Sequence, residues 1–404
     1  RCSLCWYRYF FDTSRSHYQV KIVANQQLLV MKIAIAQLNP TIGDITHNAG
    51  QIIASAKQAA RQNVRLLLTP ELSLCGYPPR DLLFYPRFID SMQQELTAIA
   101  RQIPPEMAVL VGTVEANPHA GEKGQKPLFN SMALLEGGKI QQIFHKRLLP
   151  TYDVFDDDRY FQPGYQSNWF TIDDLKVGVT ICEDLWNDEQ FWGKRSYEIN
   201  PIADLAELKV DVIVHLSGSP YNVGKQKLRE KLLHHAATRY QIPVLYANQV
   251  GANDDLIFDG YSVAFNAQGE VVARSKGFES DLVVVELDEK KNLQSLPDKE
   301  KEVIAATEEA EIFSALVLGV KDYARKCGFS KAVLGLSGGI DSALVAAIAT
   351  SALGQENILA VLMPSPYSST HSITDAEKLV ENLGIKSTQL PIESVMKSFD
   401  TVLE

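Results

Sequence analysis

Residues 131–150 read SMALLEGGKIQQIFHKRLLP. Two apolar runs, 131–135 and 140–144, are separated by Glu136-Gly137-Gly138-Lys139, a tight glycine turn that reads as a β-hairpin. A second direct turn, Asn266-Ala267-Gln268-Gly269, follows the run 262–265. Other apolar, β-branched runs lie at 33–36, 64–68, 108–111, 177–181, 210–215, 244–246 and 282–285. Amphipathic helical patterns stand between several of them. One covers 48–61 with Asn48 as its expected N-cap; another, 225–240, carries its charges on one face. Hairpins mixed with βα units predict an α/β protein whose N-terminal part is an αββα sandwich, two packed sheets with helices outside.

The 404-residue chain is 46% hydrophobic and 22% charged, an ordinary globular composition too long for one typical domain. Its 39 Lys+Arg against 49 Asp+Glu leave a net charge of −10, which argues against a nucleic-acid partner. The longest apolar stretch, 28–38, is broken by Lys32 and Gln37 and falls short of the roughly 20 residues of a membrane helix, so no membrane partner is expected. Five scattered cysteines fit a reducing, cytoplasmic location. Residues 1–30 lack periodicity and an uninterrupted signal-peptide core. They read as a non-native or unstructured leader before a start at Met31, with the CxxC spacing of Cys2 and Cys5 incidental.

Three segments just past apolar strands carry chemistry: Thr69-Pro70-Glu71-Leu72, His145-Lys146-Arg147 and Ile181-Cys182-Glu183-Asp184. Singly each has an ordinary reading, since a cysteine after a strand is usually core and a strand-end Lys or Glu is usually solvated. Together they make a mechanism. A thiol of ordinary pKa, about 8.5, is mostly protonated at neutral pH and needs a base to attack an amide. Glu71 could take that proton and return it to the leaving amine. Lys146 could hold the developing oxyanion. No GxSxG elbow competes.

These strings resemble the nitrilase (carbon–nitrogen hydrolase) superfamily, whose fold is the same αββα sandwich. The longer strings Pro70-Glu71-Leu72-Ser73-Leu74-Cys75-Gly76-Tyr77-Pro78 and Leu149-Pro150-Thr151-Tyr152-Asp153-Val154-Phe155-Asp156 narrow this to the glutaminase part of glutamine-dependent NAD synthetases. The resemblance implies that Glu71 is the proton acceptor, Lys146 the oxyanion partner and Cys182 the nucleophile. It also implies that Tyr152, Ser219 and Lys225 help hold glutamine. Asp157 stands where the family often has a glutamate, and its two readings, a supporting residue or a solvated acidic turn, both stay open.

Residues 288–302 form a charged run that reads as a linker. Beyond it a helical pattern, 303–326, ends near Gly328, and the strand 331–336 leads into Ser337-Gly338-Gly339-Ile340-Asp341-Ser342 and an Ala-rich helix. Strand, glycine loop and helix N-terminus make a phosphate site. There is no Walker A lysine and no GxGxxG. The string resembles the pyrophosphate loop of ATP-pyrophosphatases. By that resemblance Ser337, Gly338, Gly339, Ile340, Asp341 and Ser342 lie near ATP, and Asp341 contributes to Mg²⁺ binding. The string Pro364-Ser365-Pro366-Tyr367-Ser368-Ser369 resembles NAD synthetases, which implies that Ser365 also lies near ATP.

The domains expected are therefore the leader 1–30, a glutaminase unit 31–287, the linker 288–302 and the first part of a Rossmann-like parallel α/β synthetase unit, 303–404. By the resemblance the synthetase unit continues past Glu404, so the chain is expected to be a fragment that keeps at most glutaminase chemistry. The implied activity is ATP-dependent amidation of deamido-NAD⁺, with glutamine as nitrogen donor, by a homo-oligomer. ATP and Mg²⁺ are required and no prosthetic group is implied. A stand-alone amidase with an inactive nucleotide-binding appendage is the alternative, and a non-catalytic sensing module a third reading.

Overall fold

The structure, a computed structural model, describes residues 31–296 and 307–403. The expected leader with Cys2 and Cys5, and the part of the charged run from 297 onward, lie outside the described residues.

Two sheets build the N-terminal unit. The first has seven strands in the order Leu293–Ser295, Asp281–Leu287, Met31–Gln37, Leu66–Leu68, Ala108–Ala116, Leu128–Glu136 and Lys139–His145. The second has six: Val271–Arg274, Val263–Phe265, Val244–Asn248, Val212–Ser217, Leu175–Ile181 and Asn168–Ile172. Central strands of both pair in parallel and the outer ones antiparallel. The stretch 131–150 closes as a hairpin, with Glu136 opposite Lys139 and both turn glycines at positive φ.

Alternation along the strands sorts the side chains into layers. Ile33, Ile35, Leu66 and Leu68 share one core cluster with Val177, Val179, Val212 and Val214, between the sheets. Their neighbours Ala34, Ala36, Leu67 and Val109 pack instead with Ile52, Ala56, Met92 and Leu96 of the helices Ile45–Ala60 and Pro86–Gln102. Across the molecule, Ile213, Val244 and Tyr246 meet the helix Lys225–Tyr240. This is the expected αββα order.

Two local expectations need correction. Asn48 is not the N-cap: the helix begins at Ile45 and Asp44 accepts from His47 N at 3.1 Å. Asn48 lies buried inside it, bonded to both backbone atoms of Thr41 and to the Leu74 carbonyl, so its amide is already committed to fastening loops. The charged run is also not a plain spacer. Asp288 accepts from the Lys290 and Asn292 amides at 2.8 Å, and this capped turn returns the chain so that Leu293–Ser295 adds an edge strand with Leu293 buried.

The second unit is a parallel sheet, Ala332–Gly335, Ile358–Leu362 and Lys386–Gln389, with the helices Glu308–Lys326, Ile340–Leu353, Thr370–Leu383 and Glu393–Leu403. The helix Glu308–Lys326 rests on the hairpin Val250–Asn253 and Leu256–Asp259 of the first unit. Asp322 there accepts from Asn39 Nδ2 at 2.7 Å and Ala252 N at 2.9 Å. Lys326 Nζ donates to Pro40 O, Ala252 O and Asn253 Oδ1 at 3.0, 2.9 and 2.8 Å.

Candidate active site

Glu71 stands three residues past the strand Leu66–Leu68, Lys146 directly after Lys139–His145, and Cys182 directly after Leu175–Ile181. All three are at most 3% exposed. Lys146 Nζ donates to Glu71 Oε1 at 2.8 Å and to Asp157 Oδ2 at 2.6 Å. Two further donors hold Glu71, Asn130 Nδ2 to Oε1 at 2.8 Å and Gly218 N to Oε2 at 2.9 Å, which leaves an acceptor site open on Oε2. A Cβ on Gly218 would sit 3.3 Å from that Oε2 and 3.1 Å from the Tyr77 ring, so any larger residue would press on both. Asp157 is buried and also accepts from Tyr77 OH at 3.3 Å. Of its two open readings, the structure discards the solvated turn.

The charges in this knot are set by opposing forces. Burial works against the Lys146 ammonium, but Asp157 and Glu71 outweigh it and hold its pKa well above the ordinary lysine value. Burial and the Glu71 carboxylate push the Cys182 thiol up, with Lys146 opposing. The resting Cys182 is therefore a protonated thiol, which would need a base to attack. Its backbone has φ +46°, a left-handed conformation uncommon for a residue with a Cβ.

Asp184 ties two of the three strings together. Its Oδ1 accepts from the Arg147 and Leu148 amides at 3.0 and 2.8 Å, its Oδ2 from Ile181 N at 3.0 Å. The lysine loop and the cysteine turn are thus held on one carboxylate. The neighbouring Glu183 accepts from Tyr152 OH at 2.9 Å and Tyr197 OH at 3.1 Å. Tyr152 itself is half exposed. Lys225, the first residue of its helix, makes no ion pair among the described residues. Burial and then Arg229 lower its pKa. Ser219 is buried, its amide donating to Asn248 Oδ1 at 2.9 Å and its hydroxyl accepting from Arg229 at 3.4 Å. Glu183, Asp184, Asn130 and Tyr77 were not singled out from the sequence. Two carboxylates directly after a strand-end cysteine were the available signal for the first pair.

In the second unit Ser337, Gly338 and Gly339 form an exposed loop before the helix Ile340–Leu353. Ser342 Oγ lies 3.1 Å from Ser337 Oγ and donates to Gly339 O at 3.0 Å. Gly338 has φ +81°, and a Cβ there would fall 2.1 Å from the Ser372 carbonyl, so this loop abuts the first turn of Thr370–Leu383. Two helix N-termini therefore meet at one exposed glycine loop, which suits a polyanion. Asp341 is in the first helical turn and Ile340 is 82% exposed. Ser365 bonds locally to Ser368 and Tyr367. No cluster of three or more possible metal-ligating side chains occurs among the described residues.

Family models divide the chain along the same lines: carbon–nitrogen hydrolase matches residues 32–292 and NAD synthase residues 312–404. A glutamine-dependent NAD⁺ synthetase from Acinetobacter baumannii, solved with adenosine diphosphate, superposes with a TM-score of 0.84 at 37% identity, over 93% of this chain and 67% of that one. The chain belongs to the glutamine-dependent NAD(+) synthetase family. A curated member of this family from Synechocystis is 54% identical over 377 residues, 92% of this chain and 66% of its own length. The chain thus spans about two thirds of that relative. An amidase of the nitrilase superfamily from Nesterenkonia shares the fold of the first unit, with a TM-score of 0.53 at 22% identity over 65% of this chain.

Proposed function

We propose that the chain hydrolyses glutamine at Cys182 and that the ammonia serves an ATP-dependent amidation of deamido-NAD⁺ in the second unit. The observation that carries this is the pairing, in one chain, of a buried Glu71–Lys146–Cys182 site with a glycine loop at two helix N-termini. Glu71 takes the thiol proton and the thiolate attacks the carboxamide carbon. Negative charge gathers on the amide oxygen, opposite the Lys146 ammonium. The carbon–nitrogen bond breaks as Glu71 returns the proton, releasing ammonia and leaving a thioester. Water, deprotonated by Glu71, then frees glutamate and restores the thiol.

The zwitterionic end of glutamine finds two charges near the nucleophile. Glu183, fixed by two tyrosine hydroxyls, suits the α-ammonium; Lys225, which makes no ion pair among the described residues, suits the α-carboxylate. In the second unit the loop amides and the Ser337 and Ser342 hydroxyls hold pyrophosphate oxygens while ATP adenylates the nicotinate carboxylate. Ammonia then displaces AMP and gives NAD⁺. Asp341, in the first turn of the helix after the loop, would help hold Mg²⁺, a hard cation that would neutralise phosphate charge there. The enzyme is a cytoplasmic homo-oligomer in this reading. Among the described residues no helix is long and apolar enough to cross a membrane.

The test follows glutamate and NAD⁺ with ATP, Mg²⁺ and deamido-NAD⁺, using glutamine or an ammonium salt as nitrogen source. Cys182→Ala is expected to stop glutamate release and to leave any ammonium-driven NAD⁺ formation. Glutamate release at the parent rate by Cys182→Ala would overturn the reading. Glutamate release indifferent to the synthetase ligands would favour the stand-alone amidase.

A further inference from the structure

Lys225 sits where the protein does little to keep it charged. Its side chain is partly buried, Arg229 repels it, and as first residue of the helix Lys225–Tyr240 it meets the positive end of the helix dipole. Asp259 and Asp153 offset this only in part, from beyond ion-pair distance. What does touch the ammonium is aromatic. Its Nζ lies 5.6 Å from the centroid of Phe155 and 5.9 Å from that of Trp186, within reach of both ring faces. Each ring is itself braced: Phe155 meets Tyr152 edge-on at 5.6 Å, and Trp186 stacks on Trp192 at 6.0 Å. Tyr152 is also the residue whose hydroxyl caps Glu183, so the braces of the cation join the anchor of the opposite charge.

We propose that Phe155 and Trp186 form a cation–π clamp that fixes the Lys225 ammonium to read the substrate α-carboxylate, making both rings positioning residues that set preference for an amide bearing that group. An aromatic face stabilises a cation without neutralising it, unlike a protein carboxylate, which would compete with the substrate. The clamp rests on the glutamine reading above and adds two residues to it.

The experiment measures kcat and KM for glutamine with the whole chain and its Trp186→Leu, Trp186→Phe and Phe155→Leu variants, each also in a Lys225→Met background. Trp186→Leu and Phe155→Leu are expected to raise KM about 5- to 30-fold, the scale of one desolvated cation–π contact. Their kcat should stay within about threefold, the pattern of lost uniform binding. Trp186→Phe, which keeps a π face, should recover most of the loss. In the Lys225→Met background the ring substitutions should have no further effect on KM, because the cation they hold is gone. Unchanged KM in Trp186→Leu and Phe155→Leu, or an equal rise with and without the lysine, would overturn the clamp while leaving the glutaminase standing. A parent chain that releases no glutamate would instead overturn the glutamine reading and the clamp with it.

Discussion

Two lysines, Lys146 buried and Lys225 partly buried, stand under opposite electrostatic regimes. Lys146 is held charged by two carboxylates at 2.8 and 2.6 Å, so its ammonium persists across the working pH range. Lys146→Ala should cut kcat by about 10²–10³, the usual effect of losing one oxyanion partner, measured as glutamate release at saturating glutamine. Glu71→Gln should fall at least as far, since the raised thiol loses its base. Lys225 has no such support, and burial with Arg229 lowers its pKa. A lysine is charged below its pKa and neutral above it, so the α-carboxylate loses its partner as pH rises. KM for glutamine should therefore climb on the alkaline side at a pH below the ordinary lysine value of about 10.4. Lys225→Arg, whose guanidinium stays protonated, should remove that limb. A parent KM and a Lys225→Arg KM that move together would exclude Lys225 as its origin.

At the scale of elements, the site depends on loops fastened to strand ends. Asp184 is the fastener between the lysine loop and the cysteine turn, accepting from three backbone amides. Asp184→Asn can accept on one side only and turns an NH₂ toward an amide on the other. It should lower kcat by at least about tenfold with a smaller effect on KM, since the misplaced groups are those of the transition state. Gly338→Ala should abolish ATP binding, measured by calorimetry, because its Cβ would collide with the Ser372 carbonyl. Glu71, Lys146 and Cys182 were legible because each follows an apolar run that is readable as a strand by itself. Asn130 was not, since it lies within the strand Leu128–Glu136 and only pairing turns it toward Glu71. Asn48 misled for a related reason: it has the chemistry of a cap, but tertiary bonds claim its amide while Asp44 takes the helix end.

Over the whole molecule, the two units meet where no sequence pattern pointed. Asn39 and Asp322 are 283 positions apart, yet their side chains bond at 2.7 Å. Gly251 makes room for them, as a Cβ there would lie 2.1 Å from Asn39 Oδ1. Asp322 is 2% exposed, and removing one side of a buried charged network typically costs about 3–5 kcal/mol. Asp322→Ala should therefore split or broaden the thermal transition in calorimetry, with the second unit melting first because its core cluster is small. A single transition at the parent temperature would mean that the junction contributes nothing to stability. Periodicity and capping announce elements one at a time; a contact spanning most of the chain depends on how those elements finally pack.

The left-handed backbone of Cys182 carries a thermodynamic consequence. A residue with a Cβ held at φ +46° costs the folded state on the order of 1–3 kcal/mol, a cost glycine escapes. Inside a helix or strand an alanine outlasts a glycine by about 0.5–1 kcal/mol. At this one position the order should invert, with Cys182→Gly melting above Cys182→Ala although both lack the thiol. The thiol that the proposed chemistry needs is thus held at a conformational cost to the fold.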